Sequence, residues 1–244
     1  MSEVRWCDHR DGEAMAVALA LVIRDALGSA IAARGRAILA LSGGATPWPT
    51  YERLAEQDLA WARVVVVPSD DRMVPVGDPL SNVGAMARIF EPLGARVEPL
   101  TDATSRDHVA AGRAADQRLR GLPWPLDFVL LGVGGDGHTA SIFPGKDYAA
   151  ALDPEGSARA LGVMPDRLPP EAPVARVSLS LAAIVAARAV AVVAIGSDKR
   201  AVIERAIAAG DDSPYPVGRV LAAVLGRGRP TRIPNSVRIF WAPR

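Results

Sequence analysis

Four short stretches of this 244-residue chain carry side chains suited to chemistry. Leu41–Pro47 (LSGGATP) brings Gly43, Gly44 and Thr46 together just ahead of a helix start. Such a loop can turn backbone N–H groups toward an anion, helped by the helix dipole; a tight turn that needs glycine for its backbone is the plainer alternative. Pro68–Pro75 (PSDDRMVP) sets Asp70, Asp71 and Arg72 directly after a valine run. Alone, that triplet reads as a solvated turn with an internal ion pair. In Ile195–Val202 (IGSDKRAV), Lys199 falls in the first turn of an expected helix, where the dipole disfavours a cation. Lys146 and Lys199 are the chain's only lysines, and a lysine in that position suggests a nearby anion.

The fourth stretch, Phe128–Ser141 (FVLLGVGGDGHTAS), is ambiguous. Gly132, Gly134 and Gly137 spell G-x-G-x-x-G after an apolar run, the dinucleotide-binding pattern. That reading needs an acidic residue about 20 positions on, ending the next strand. Asp153 has nearly that spacing but lies in a turn-like ALDPEG. The loop also carries Asp136, His138, Thr139 and Ser141 where a dinucleotide turn holds small apolar residues. His138 beside Asp136 in a glycine loop is a candidate general base with a carboxylate to orient it. Ser141 as a nucleophile lacks the G-x-S-x-G elbow.

These residues need a scaffold that brings them together. Ala37–Gly44, Val64–Val67, Phe128–Val133 and Ala189–Gly196 are continuous apolar runs, as expected for parallel strands covered on both faces. Arg176–Ser180 and Val237–Ala242 are weaker strand candidates. Helices are expected in EAMAVALALVIRDALGSAIAARG, PTYERLAEQ, SNVGAMARIF (with Ser81 or Asn82 as N-cap), RDHVAAGRAADQRLRG and SDKRAVIERAIAAG. The alternation predicts a three-layer α/β sandwich with a mostly parallel, doubly wound sheet. Met164–Pro173 reads as a proline-rich excursion within a single domain spanning 1–244. In such folds ligands bind off the carboxyl ends of the strands, which puts Asp70, Arg72, His138 and Lys199 around one rim. That rim suits a small phosphorylated substrate with a group that needs a proton moved.

Composition narrows the options. Lys and Arg total 28 against 27 Asp and Glu, a net charge of +1, which argues against broad nucleic-acid binding. The lone Cys7 cannot form an internal disulfide and, with no thiolate partners or histidine cluster, implies no metal site. The N-terminus has no signal core, the apolar stretches near Ala14–Ile23 and Leu181–Gly196 are too short or interrupted to span a membrane, and a cytoplasmic setting is expected.

LSGGATP, PSDDRMVPVGDPLSN and LLGVGGDGHTASIFPG together, in this order and spacing, resemble the 6-phosphogluconolactonases, with Lys199 as a fourth point. The resemblance spans nearly the whole chain. It implies the fold shared with glucosamine-6-phosphate deaminase and ribose-5-phosphate isomerase, hydrolysis of 6-phospho-D-glucono-1,5-lactone, and no cofactor or metal. It implies a phosphorylated sugar lactone as the partner; no nucleic-acid or membrane partner is expected, and the chain is expected to be a monomer or small homo-oligomer. Carried over, His138 is the base that activates water and Asp136 sets its loop and imidazole. Arg72 and Lys199 are phosphate ligands, Gly43, Gly44 and Thr46 add loop contacts, and Asp70 orients sugar hydroxyls. Ser81 and Asn82 cap a helix facing the site. Ala45 stands where the family usually has serine, and Asp71 where glutamate is usual. Three alternatives stay open: a sugar-phosphate deaminase or isomerase of the same fold, a non-catalytic sugar-phosphate sensor, and an NAD-dependent dehydrogenase.

Overall fold

The structure, a computed structural model, describes residues 3–101, 107–170, 172–226 and 236–244. Its elements in chain order are β1 (Glu3–Asp8), α1 (Gly12–Arg34), β2 (Ala37–Leu41), α2 (Trp48–Ala55), β3 (Val64–Pro68), β4 (Asp70–Arg72), α3 (Asn82–Phe90), β5 (Arg96–Val97) and α4 (His108–Arg120). Then follow β6 (Phe128–Gly132), α5 (Tyr148–Ala151), β7 (Ala160–Val163), β8 (Arg176–Leu179), α6 (Leu181–Ala186), β9 (Val190–Ile195), α7 (Ser197–Ala209), α8 (Pro216–Gly226) and β10 (Ser236–Ala242).

Seven strands form one sheet in the order β1-β10-β9-β6-β2-β3-β5, and every pairing in it is parallel. The continuous apolar runs have their physical reason in the pleat, which sends successive side chains to opposite faces. In β2, Ala37, Leu39 and Leu41 join a core with Met15, Leu19, Ile23 and Leu27 of α1 and with Tyr51 and Phe90. Ile38 and Ala40 face the other way, into a core with α4, α6, α7 and α8 residues such as Leu119, Ile184, Ile203 and Leu221. Both faces of the sheet are therefore covered by helices, giving the three layers expected.

Several elements depart from the sequence expectation. Arg176–Ser180 is a strand, but β8 belongs to a separate antiparallel sheet, β4-β8-β7. The Asp70–Arg72 triplet is not a solvated turn: it is β4, paired with β8, and both aspartates are buried. The apolar stretch from Leu181 to Gly196 divides into helix α6 and strand β9. Nor is the first apolar segment short: α1 runs for 23 residues and by length and composition could cross a membrane. Here one stripe of it (Met15, Leu19, Ile23, Leu27) is buried against the sheet, as for a core helix. Asp11 caps its start by accepting from the Ala14 N–H at 2.7 Å.

The topology also locates the site. From β2 the chain winds outward to β3 and β5, whereas β6 pairs on the other side of β2 and leads to β9 and β10. The β2–β6 junction is thus the switch point, where crevices form at the strands' carboxyl ends.

Candidate active site

The loops leaving β2, β3, β6 and β9 surround a cleft of about 280 Å³, lined by Ser42–Pro47, Asp70, Arg72, Asn82, Gly132–Gly134, His138, Ala140 and Lys199. Four separate sequence stretches are thus brought to one place.

The first wall is the loop after β2. The buried Tyr51 hydroxyl donates to the Ser42 carbonyl at 2.7 Å, and burial pushes that phenol well above its ordinary pKa so that it stays a donor. Gly44 has a left-handed backbone, φ 89°. Gly43 is needed for space: a Cβ there would stand 2.1 Å from Asn82 Oδ1. Among the described residues, the N–H groups of Gly44, Ala45 and Thr46 donate to no protein acceptor, and α2 begins at Trp48. The result is an anion-receptive turn.

The second wall is β4 with the start of α3. Asp70 faces the cleft and accepts from Ser69 Oγ at 3.2 Å and Ser141 Oγ at 2.6 Å. Asp71 points away and holds the segment together. Its carboxylate accepts from the backbone N–H groups of Arg72, Asn82 and Val83 at 2.8, 2.7 and 3.2 Å. Burial nevertheless pushes its pKa up to about 6, with those donors opposing the shift and Asp70 adding to it. Ser81 is the N-cap of α3, accepting from the Gly84 N–H at 3.1 Å; it does not line the cleft. Asn82 does, and its Nδ2 donates to the Asp70 carbonyl at 2.7 Å. Arg72 Nη1 donates to the Leu80 carbonyl at 2.9 Å, but its Nε, like Ser42 Oγ, is buried without a partner.

The third wall is the loop after β6. His138 Nδ1 lies 2.5 Å from Asp136 Oδ1, which also accepts from the His138 backbone N–H at 3.1 Å. With Nδ1 engaged as donor, the imidazole presents Nε2 as its free nitrogen. Burial raises the Asp136 pKa, but its bonds to His138 outweigh that and hold the carboxyl below its ordinary range. Asp136 itself does not line the cleft; it stands behind His138 with a side chain 61% exposed. The glycines of the motif make room: a Cβ on Gly134 would lie 2.2 Å from the His138 ring, and one on Gly137 would lie 2.6 Å from the Tyr215 ring. No helix follows the third glycine. The chain turns back through an isolated bridge between Thr139 and Ile142, so the helix N-terminus that a dinucleotide pyrophosphate requires is missing here.

The last wall is the start of α7. Lys199 sits in the first turn after Gly196 and lines the cleft. Burial lowers its pKa, with Arg244 adding to the effect and Asp198 opposing it. No ion pair occupies its ammonium among the described residues, so a bound anion would meet an uncommitted cation.

Of the residues singled out from sequence, Gly43, Gly44, Thr46, Asp70, Arg72, Asn82, His138 and Lys199 line the cleft; Asp136 and Ser81 act from behind it. Ser141 donates to Asp70 and does not itself line the cleft. Ser42 and Tyr51 were not anticipated. Ser42 lies within the LSGGATP motif, a usable signal; Tyr51 is one apolar-face position of an amphipathic helix, and only the fold shows where its hydroxyl goes.

Residues 10–227 match the family described as glucosamine-6-phosphate isomerases/6-phosphogluconolactonase. The chain is 39% identical to a 6-phosphogluconolactonase of Mesorhizobium japonicum over 98% of this chain and 95% of that one. It is 37% identical to one of Pseudomonas putida, over 96% and 90%. Among solved structures it resembles a 6-phosphogluconolactonase of Shewanella baltica, with a TM-score of 0.84 and 28% identity over 98% of each chain. A monomeric glucosamine-6-phosphate deaminase shares the fold at a TM-score of 0.74 and 17% identity, over 99% of this chain and 98% of that one.

Proposed function

The chain belongs to the glucosamine-6-phosphate isomerase/6-phosphogluconolactonase family, and from that premise we propose how its cleft hydrolyses 6-phospho-D-glucono-1,5-lactone to 6-phosphogluconate, a step of the pentose phosphate pathway. The observation that carries the mechanism is the His138–Asp136 pair, which sets a free imidazole nitrogen on one wall of a cleft that Arg72 and Lys199 also line.

His138 Nε2 takes a proton from water as the oxygen attacks the lactone carbonyl. Asp136 keeps the proton on Nδ1 and stabilises the imidazolium that forms. The tetrahedral intermediate collapses with loss of the ring C–O bond, and the imidazolium returns its proton to the departing ring oxygen. Water's other proton leaves with the carboxylic acid, so one water is consumed and the product is the open-chain hydroxy acid. A δ-lactone is an activated ester; a positioned base, worth a factor of ~10²–10⁴, with binding of the distant phosphate is enough to drive it. No covalent nucleophile is required.

Lys199 and Arg72 hold the phosphate, with Gly43, Gly44 and Thr46 supplying loop contacts; the place of both cations in the cleft, and an ammonium and loop N–H groups without a protein partner among the described residues, support this division. Asp70, fixed by Ser69 and Ser141, orients sugar hydroxyls. Ser81 and Asn82 cap and present the start of α3. This reading places the enzyme in the cytoplasm as a monomer or small homo-oligomer, with no nucleic-acid or membrane partner.

The experiment is hydrolysis by His138→Ala, with binding of 6-phosphogluconate measured in parallel. A loss of ~10²-fold or more with binding retained is expected; unchanged turnover removes His138 from the mechanism. Ammonia release from glucosamine 6-phosphate by the unaltered protein would instead favour a deaminase. None is expected, because Thr139–Pro144 (TASIFP) carries no carboxylate after the histidine.

A further inference from the structure

One hydrogen bond to a half-exposed carboxylate does not fix an imidazole. Asp136 restrains the His138 ring at Nδ1 alone, and its own side chain is 61% exposed, open to competition from water. The ring also has somewhere else to go. On the side of His138 away from the β2 loop lies a second hollow of about 500 Å³, walled by Asp136, Phe143, Pro144 and the segment from 165 to 170. A base free to swing toward that hollow would lose its line to the substrate.

Phe143 packs against the ring on this side. Its ring stacks on the His138 imidazole with centroids 4.3 Å apart and planes 29° from parallel, and it is only 8% exposed. The intervening backbone brings it there. Ala140 adopts a left-handed φ of 48°, the Ile142 N–H donates to the Thr139 carbonyl at 3.0 Å, and Thr139 Oγ1 donates to the Gly132 carbonyl at 2.8 Å. This return folds residue 143 against residue 138. Phe143 is in turn held from behind: the guanidinium carbon of the buried Arg176 lies 5.2 Å from its ring centre. Arg176 itself is tied to the carbonyls of Val174 and Ala172 at 3.3 and 3.0 Å. A non-glycine residue in a left-handed conformation is a strained feature that the surrounding structure must hold in place, and here that strain delivers an aromatic face to the base.

We infer that Phe143 is a positioning residue for the hydrolysis: it fixes the plane of the His138 imidazole, while Asp136 fixes its tautomer. The inference rests on His138 being the base. Its contribution is to geometry at the reacting centre and not to substrate binding, since Phe143 does not line the cleft that holds Lys199 and Arg72.

The test is steady-state kinetics of Phe143→Leu and Phe143→Tyr in the full chain. For Phe143→Leu, kcat is expected to fall by about 10- to 100-fold, the range for displacing a catalytic group by up to an ångström, while KM stays within about two-fold. Phe143→Tyr keeps the flat face and is expected to retain most of the activity. In a His138→Ala background, adding Phe143→Leu is expected to cost nothing further, because the group it positions is gone. If the leucine variant does not fold, Phe143→Met carries the same test at similar volume. An unchanged kcat, a KM that rises as kcat falls, or an equal loss in the His138→Ala background overturns the inference. A fully active His138→Ala instead overturns the base assignment, so the two failures are distinguishable.

Discussion

Replacing Gly134 by alanine separates catalysis from folding. A Cβ at that position would stand 2.2 Å from both Cε1 and Nδ1 of His138 and 2.6 Å from Asp136 Oδ1, where ordinary contact begins at 3.4 Å. The ring must therefore retreat by about 1.2 Å, and a misplacement near 1 Å costs on the order of 10²-fold in rate. The backbone has no comparable objection. Gly134 is not left-handed, so alanine fits its φ, and loss of glycine's freedom in the unfolded chain is worth ~0.4–1 kcal/mol in favour of folding. Lactone hydrolysis followed by acid release should show kcat down about 100-fold, with KM little changed. The melting temperature should stay within about 4 °C of the parent's. A variant that keeps at least half the parental kcat would refute the claim that the imidazole's position sets the rate.

Lys199→Met is expected to raise KM for the lactone and weaken competition by inorganic phosphate, both read by inhibition kinetics; an unchanged KM would move the phosphate elsewhere. Asp71 gives a pH prediction. Its pKa is raised from 3.8 to about 6 in the folded protein, so its contribution is fully present below about pH 4 and is lost as pH rises through 6, by up to ~3 kcal/mol. Denaturant unfolding of Asp71→Asn should lack that part of the decline between pH 4 and 7; parallel curves for parent and variant would contradict it. Tyr51→Phe removes the bond to the Ser42 carbonyl and leaves that acceptor unsatisfied, at a cost of ~1–3 kcal/mol in chemical unfolding.

The central strands were legible because burial on both faces writes an uninterrupted apolar run: Val64–Val67, Phe128–Val133 and Ala189–Gly196 all correspond to strands of the parallel sheet. β1 was not legible. It lies at the sheet edge beside β10, and Glu3–Asp8 mixes charged and apolar residues over too short a span to stand out. β4 was hidden for a different reason. Asp-Asp-Arg has the composition of a turn, and it becomes a strand because β8 pairs with it and the N–H groups at the start of α3 take up its second carboxylate. Local pattern could not supply either partner.

The site was more legible than its supports. Asp70, Arg72, His138 and Lys199 announce themselves by chemical type at strand ends, a rule of the fold class. The residues that hold them do not. Tyr51 and Phe143 are apolar in pattern, and their contacts to Ser42 and His138 depend on how separate segments meet. Gly132, Gly134 and Gly137 matched a dinucleotide fingerprint because both loops need a tight turn after a buried strand; here Gly134 clears space for an imidazole.

A crystal structure with 6-phosphogluconate bound would show which group faces His138. The C1 carboxylate is expected within hydrogen-bond reach of the free His138 nitrogen, and the phosphate against Lys199 and the loop from Gly43 to Thr46. A ligand lying the other way, with its phosphate beside His138 and C1 at the Lys199 end, would contradict it.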